Sequence, residues 1–214
     1  MERKHIYLIS GLGSDERVFR YLNLSAYEVH YIQWIPPVKD ETLKQYASRL
    51  LPQITTAYPT LIGLSMGGMI AVEIGKIIAT EKIILISSAK YGEELPGGVS
   101  IFGKLKIHRF IPDFLLLRPN RVLYQMFGVH KRRHKVILRD VIRNTDPDFA
   151  RWGMDAIMNW ENREAKGTII HIHGAQDRII PIGNVQADYI IQEGGHSMVF
   201  QQPEKISGIL NAVI

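Results

Sequence analysis

Short apolar runs alternate with helix-period stretches along most of this chain. Six runs rich in β-branched residues recur, at Ile6–Ser10, Val29–Trp34, Thr60–Leu64, Ile83–Ser87, Thr168–His173 and Tyr189–Gln192. Several are almost continuously apolar, as strands covered on both faces must be. Amphipathic or apolar helical patterns follow the second and third runs, over Glu41–Leu51 and Gly68–Ala79. Strand alternating with helix predicts an α/β fold, a mostly parallel sheet of about six strands with helices on both faces.

The alternation breaks once. Between Ser88 and Gly167 no strand pattern occurs, only roughly eighty residues of helical character. Its clearest element starts at Asp146, a suitable N-cap, with Pro147 in the first helical position. Phe149, Trp152, Ala156, Ile157 and Trp160 then share one helical face. Upstream lie a segment Pro119–Phe127 closed by Gly128 and a strongly basic helical stretch from Lys131 to Arg143. These patterns predict a helical cap inserted after the fourth strand. Residues 1–89 and 167–214 would form the α/β core and residues 90–166 the cap.

The third strand run leads directly into Gly63-Leu64-Ser65-Met66-Gly67 and then into a helical pattern. A serine on so sharp a strand-to-helix turn is held in a strained conformation that pushes its hydroxyl out of the packed layers. Gly63 and Gly67 suit places where strand and helix backbones approach closely. In this context the pentapeptide points to a nucleophilic serine. Such a hydroxyl needs a base, and the base needs an orienting partner. Asp177, in His173-Gly174-Ala175-Gln176-Asp177, follows the fifth strand run; His196, in Gly194-Gly195-His196, follows the sixth. Ser65, Asp177 and His196 thus all fall at the carboxyl ends of core strands, the edge where open α/β sheets build their sites. Asp188 and Glu193 are alternative acids. His171 and His173, alternating with apolar residues along the fifth run, read as structural, His173 as a residue that shapes the Asp177 loop.

Composition narrows the chemistry. The 214 residues suit one domain with a small insertion, and 46% apolar with 22% charged residues describes an ordinary globular protein. With no cysteine, disulfides, thiolate metal sites and cysteine nucleophiles are excluded. His108, His130 and His134 lack a carboxylate at metal-ligand spacing, so neither a metal nor a cofactor is expected. Arg3-Lys4 precede only a short apolar stretch, His5 to Ile9, which reads as a strand rather than a secretory leader. No run reaches the ~20 apolar residues of a membrane span, and a cytoplasmic location is the expectation. The net charge of +5 is concentrated: residues 90–166 hold 15 Lys/Arg against 9 Asp/Glu. The densest cluster is His130-Lys131-Arg132-Arg133-His134-Lys135. A solvated helix face is the plain account of it, docking of an acidic partner the sharper one. No motif supports nucleic-acid binding.

The chain order serine, acid, histidine, each in its own post-strand loop, resembles the α/β-hydrolase superfamily over nearly the full length. Within it the chain looks similar to small, helical-capped carboxylesterases of the pimeloyl-carrier-protein methyl ester esterase type. The resemblance implies Ser65 as nucleophile, His196 as base and Asp177 as orienting acid. It also implies an oxyanion hole made by the backbone N–H groups of Met66 and Leu12, the latter in Ser10-Gly11-Leu12-Gly13 after the first strand. Ser10 stands where the family has histidine. The implied function is cleavage of a carboxylic ester through an acyl-enzyme. The acyl group would be a small-molecule ester or one carried by acyl carrier protein or acyl-CoA, with Arg132 and Arg133 meeting the acidic carrier. Two other functions use the same residues or fold: a lyase or carbon–carbon bond hydrolase with Arg109 or Arg118 holding a substrate carboxylate, and a non-catalytic binding protein.

Overall fold

The computed structural model describes residues 3–97 and 117–214. Six strands form one all-parallel sheet: β1 (His5–Ile9), β2 (Glu28–Tyr31), β3 (Thr60–Leu64), β4 (Lys82–Ile86), β5 (Ile169–Gly174) and β6 (Tyr189–Ile191). Their spatial order is β2-β1-β3-β4-β5-β6. Every adjacent pair is parallel. The direction of winding reverses between β1 and β3, which pair with Ile9 opposite Gly63. A crevice opens at such a reversal beyond the carboxyl ends of the two strands.

Side-chain alternation along each strand divides the core into two layers. Tyr7, Ile9, Leu61, Ile83 and Leu85 pack against α1 (Leu43–Leu50) and α2 (Met66–Ile77). Ile6, Leu8, Ile62, Ile84, Ile86 and Ile172 face the other way, toward a 3₁₀ turn at Glu16–Phe19 and the helices near the C-terminus. Helices therefore cover both faces of the sheet. The second strand is shorter than its apolar run: the chain leaves the sheet after Tyr31, and Trp34 turns back so that its Nε1–H donates to the Ser14 carbonyl at 2.8 Å. Helix α1 opens with a reciprocal capping box between Thr42 and Gln45.

Three described helices lie between β4 and β5: α3 (Arg121–Met126), α4 (Arg132–Asn144) and α5 (Pro147–Met158). The expected start of α5 is observed, with the Asp146 carboxylate accepting from Phe149 N–H at 2.8 Å. Gly128 closes α3 at φ +69. Phe149, Trp152, Ala156 and Trp160 are buried in the layer with α1 and α2. Both indoles are anchored: Trp152 Nε1–H donates to the Glu41 carbonyl at 2.7 Å and Trp160 Nε1–H to Glu73 Oε1 at 2.8 Å. Both rings are thus packed in the core layer, where they also line a cleft between the 37–44 loop, α2 and α5. Within the expected cap, residues 98–116, His108 and Arg109 among them, lie outside the described residues. Two further helices, α6 (Met198–Gln201) and α7 (Pro203–Val213), complete the second layer. Among the described residues, no helix is long and apolar enough to cross a membrane.

Glu73 is buried, paired with Lys76 Nζ at 2.7 Å and bonded to Trp160. Replacing Trp160 with Phe keeps the ring packing but removes a donor from a buried carboxylate, a loss of about 1–3 kcal/mol. Urea unfolding of Trp160→Phe should show a lower midpoint with an unchanged slope.

Candidate active site

Ser65 sits between β3 and α2 with φ 53 and ψ −122, a conformation that costs a non-glycine residue about 1–3 kcal/mol. Packing around the turn enforces it. A Cβ on Gly67 would stand 2.2 Å from the Ile9 and Ser10 carbonyl oxygens, and one on Gly63 2.4 Å from the Gly67 carbonyl oxygen. Backbone meets backbone at both positions, so nothing can yield. Ser65 N–H donates to the Ile86 carbonyl at 3.0 Å. Ser88 Oγ–H donates to the Ser65 carbonyl at 2.6 Å and fills the space that a side chain on Gly68 would need. No motif along the chain singles out Ser88, which follows the end of β4. Its signal was weak, a hydroxyl one strand away from the nucleophile candidate and at the same edge.

His196 Nε2 lies 2.9 Å from Ser65 Oγ, and His196 Nδ1 lies 2.8 Å from Asp177 Oδ2. An ionised carboxylate only accepts, so Nδ1 carries the ring proton and Nε2 presents its lone pair to the serine hydroxyl. Asp177 Oδ1 accepts from the Ile179 and Ile180 amides, each at 2.9 Å. Burial pushes the Asp177 carboxyl up. The adjoining His196 ring and the Ile180 amide outweigh burial and leave it below the usual carboxylate range. Asp177 and His196 are buried; Ser65 is partly exposed. The alternative acids lie elsewhere. Asp188 accepts from the His171 backbone N–H at 2.7 Å, and Glu193 is 4.0 Å from Lys205 Nζ.

The loop after β1 runs beside the serine. A Cβ on Gly11 would touch Ser65 Cβ at 3.4 Å. In place of a histidine, the small Ser10 donates its Oγ–H to the Ser14 carbonyl at 2.7 Å, and Ser14 Oγ–H returns to the Gly11 carbonyl at 2.8 Å. Trp34 also donates to the Ser14 carbonyl. Thr145, at the junction of α4 and α5, has its Oγ1 2.9 Å from the Gly13 carbonyl oxygen. Helix α5 crosses closely above: a Cβ on Gly153 would be 2.2 Å from Leu12 Cδ1 and 3.4 Å from Met66 Sδ. Met66 is the first residue of α2, so its N–H has no intrahelical acceptor.

The segment between β4 and β5 also supports the histidine loop. Phe127 meets the His196 ring edge-on at 5.5 Å, and its carbonyl accepts from Ser197 N–H at 3.3 Å. Gly128 and Gly195 pack back to back, where a Cβ on either would come within 3.1 Å of the other's Cα. Arg132 and Arg133 follow Gly128 closely and are exposed at the start of α4, and Arg118 is exposed before α3. A cleft of about 1000 Å³ between the 37–44 loop, α2 and α5 contains none of Ser65, Asp177 and His196. No group of three or more His, Cys, Asp or Glu suited to a metal occurs among the described residues.

Behind Asp177, His171 and His173 are completely buried. Burial, then the neighbouring His173 and Lys90, pushes the His171 ring down to about 3 from 6.5, and burial lowers His173. Unfolded His171 therefore binds a proton below about pH 6.5 that the folded protein refuses until about pH 3. Its contribution to stability is present above that window and is lost as pH falls through it. Urea midpoints of the wild type should fall from pH 7 to pH 4.5, and His171→Leu should flatten the slope.

Residues 6–208 match the model of a family described as the alpha/beta hydrolase family. No curated protein sequence matches the chain. Solved structures resemble it closely in fold. An esterase from Exiguobacterium antarcticum superposes with a TM-score of 0.78 at 16% identity, over 98% of this chain and 91% of its own. An esterase from Thermogutta terrifontis gives 0.74 at 16%, covering 98% and 88%. The enol-lactonase from Burkholderia xenovorans LB400 gives 0.71 at 16%, covering 99% and 91%. With the family model spanning residues 6–208, this chain belongs to the alpha/beta hydrolase family.

Proposed function

We propose that this protein is a serine ester hydrolase working through an acyl-enzyme. The observation that carries the reading is the continuous line from Asp177 Oδ2 through His196 to Ser65 Oγ, with both links under 3 Å. Ser65 Oγ attacks the acyl carbonyl while His196 Nε2 takes its proton, and the buried Asp177 carboxylate stabilises the imidazolium that forms. The Leu12 and Met66 amides hold the developing oxyanion, helped by the positive end of α2. His196 then protonates the leaving alkoxide and activates water to release the acid. Proteins of similar fold bear the names esterase and enol-lactonase, which supports ester cleavage as the reaction.

The helices between β4 and β5, within residues 90–166, act in this reading as a cap. They close over the serine and steady the loops bearing Leu12 and His196. The exposed cations of Lys131, Arg132 and Arg133 at the start of α4 favour an acyl group delivered by an acidic carrier, an acyl carrier protein or the phosphates of acyl-CoA.

Ser65→Ala should cut hydrolysis of p-nitrophenyl esters, assayed from acetate to dodecanoate, by on the order of 10⁴-fold or more. A variant as fast as wild type would end the assignment. For the carrier, Arg132→Glu with Arg133→Glu should lower the ratio of kcat/KM on carrier-linked over free methyl ester by about tenfold at low salt. An unchanged ratio removes the carrier and leaves a hydrolase of small soluble esters.

A further inference from the structure

Strand β5 places two imidazoles where a covered parallel strand normally carries Val or Ile. His171 and His173 project on the same face, two residues apart, and neither touches solvent. Burying two polar rings is costly unless each is bonded, and their bonds run in one direction. His173 Nε2 is 2.8 Å from the Ile180 carbonyl oxygen. A carbonyl only accepts, so the His173 proton is on Nε2, and in the neutral ring Nδ1 accepts. His171 Nε2 lies 3.1 Å from that Nδ1 and must donate to it. The Ile180 carbonyl thereby sets the tautomers of both rings.

Ile180 is also the residue whose N–H binds Asp177 Oδ1. The carboxylate of Asp177 and the ring of His173 thus grip one residue from its two sides. The same His173 Nε2 lies 3.5 Å from Asp177 Oδ2, the oxygen that accepts from His196. Resting on the ester-hydrolase reading, we propose that His173, oriented by His171, is a positioning residue for Asp177. It fixes the 177–180 turn through the Ile180 carbonyl and keeps Oδ2 directed at His196 Nδ1. The charged neighbours are Lys90 near His171, and Asp177 and His196 near His173. Burial keeps both rings neutral, which matters because an imidazolium at position 173 would compete with His196 for Oδ2.

The test compares two polar replacements of different reach. The amide of His173→Gln extends to the Nε2 position and can still donate to the Ile180 carbonyl; that of His173→Asn stops at the depth of Nδ1. Expected for His173→Asn is a kcat on p-nitrophenyl esters reduced ~10- to 100-fold with KM within about twofold, and substantial recovery in His173→Gln. Low-field proton spectra should show the His196 Nδ1–H resonance in wild type and His173→Gln, weakened or lost in His173→Asn. Equal kcat and an unaltered resonance in all three proteins would overturn the proposal. The wild type alone supplies a second arm that no misfolded variant can spoil: ¹H–¹⁵N spectra of its histidine rings should place the protons of His171 and His173 on Nε2. A proton on His173 Nδ1 with a bare Nε2 would refute the mechanism. Failure of the parent reading looks different, since wild type would then show these tautomers and the His196 resonance yet hydrolyse no ester.

Discussion

The site depends on how closely the first turn of α2 approaches the ends of β1 and β3. Gly67 stands against the Ile9 and Ser10 carbonyls, and Gly63 against Gly67 itself. That proximity leaves the residue between strand and helix no relaxed conformation, and Ser65 takes φ 53. The cost is a few kcal/mol at most, and two apolar layers on either side of the sheet stabilise the arrangement against it. The result is a hydroxyl lifted out of the packed layers at the point where the winding of the sheet reverses.

The same proximity explains how the loop after β1 manages without the histidine common in the family. Gly11 lies against Ser65, and the loop is stitched internally by Ser10 and Ser14 and externally by Trp34 and Thr145. A backbone donor needs only its loop held still, and several side chains far apart in sequence share that work. Thr145 and Gly153 belong to the segment between β4 and β5, as does Phe127 beside His196. The segment between β4 and β5 therefore shares contacts with both the loop after β1 and the loop bearing His196.

Electrostatics at the acid follow from burial. A lone carboxylate at the depth of Asp177 would hold its proton; two amides and the His196 ring keep it ionised. Behind it the neutral imidazoles of His171 and His173 supply directed polarity without charge. An aliphatic pair at those positions would pack as well but leave the Ile180 carbonyl without a donor. A charged pair would compete for the oxygen that His196 needs.

Much of this was legible in the order of residues, because it depends on period and local chemistry. Short apolar runs rich in β-branched residues marked all six strands, misplacing mainly the end of β2, where Trp34 leaves the sheet for a partner the local pattern does not reveal. Asp146-Pro147 fixed the start of α5, and Gly63 and Gly67 marked the turn that presents Ser65. Asp177 and His196 were recognisable from their positions after β5 and β6. Only tertiary structure brought Ser88 to the Ser65 carbonyl, set Asp177 against His196 with Asp188 and Glu193 bonded elsewhere, and joined His173 to Ile180. Those contacts link residues on different strands and loops, and their value comes from distance and burial, which no spacing along the chain encodes.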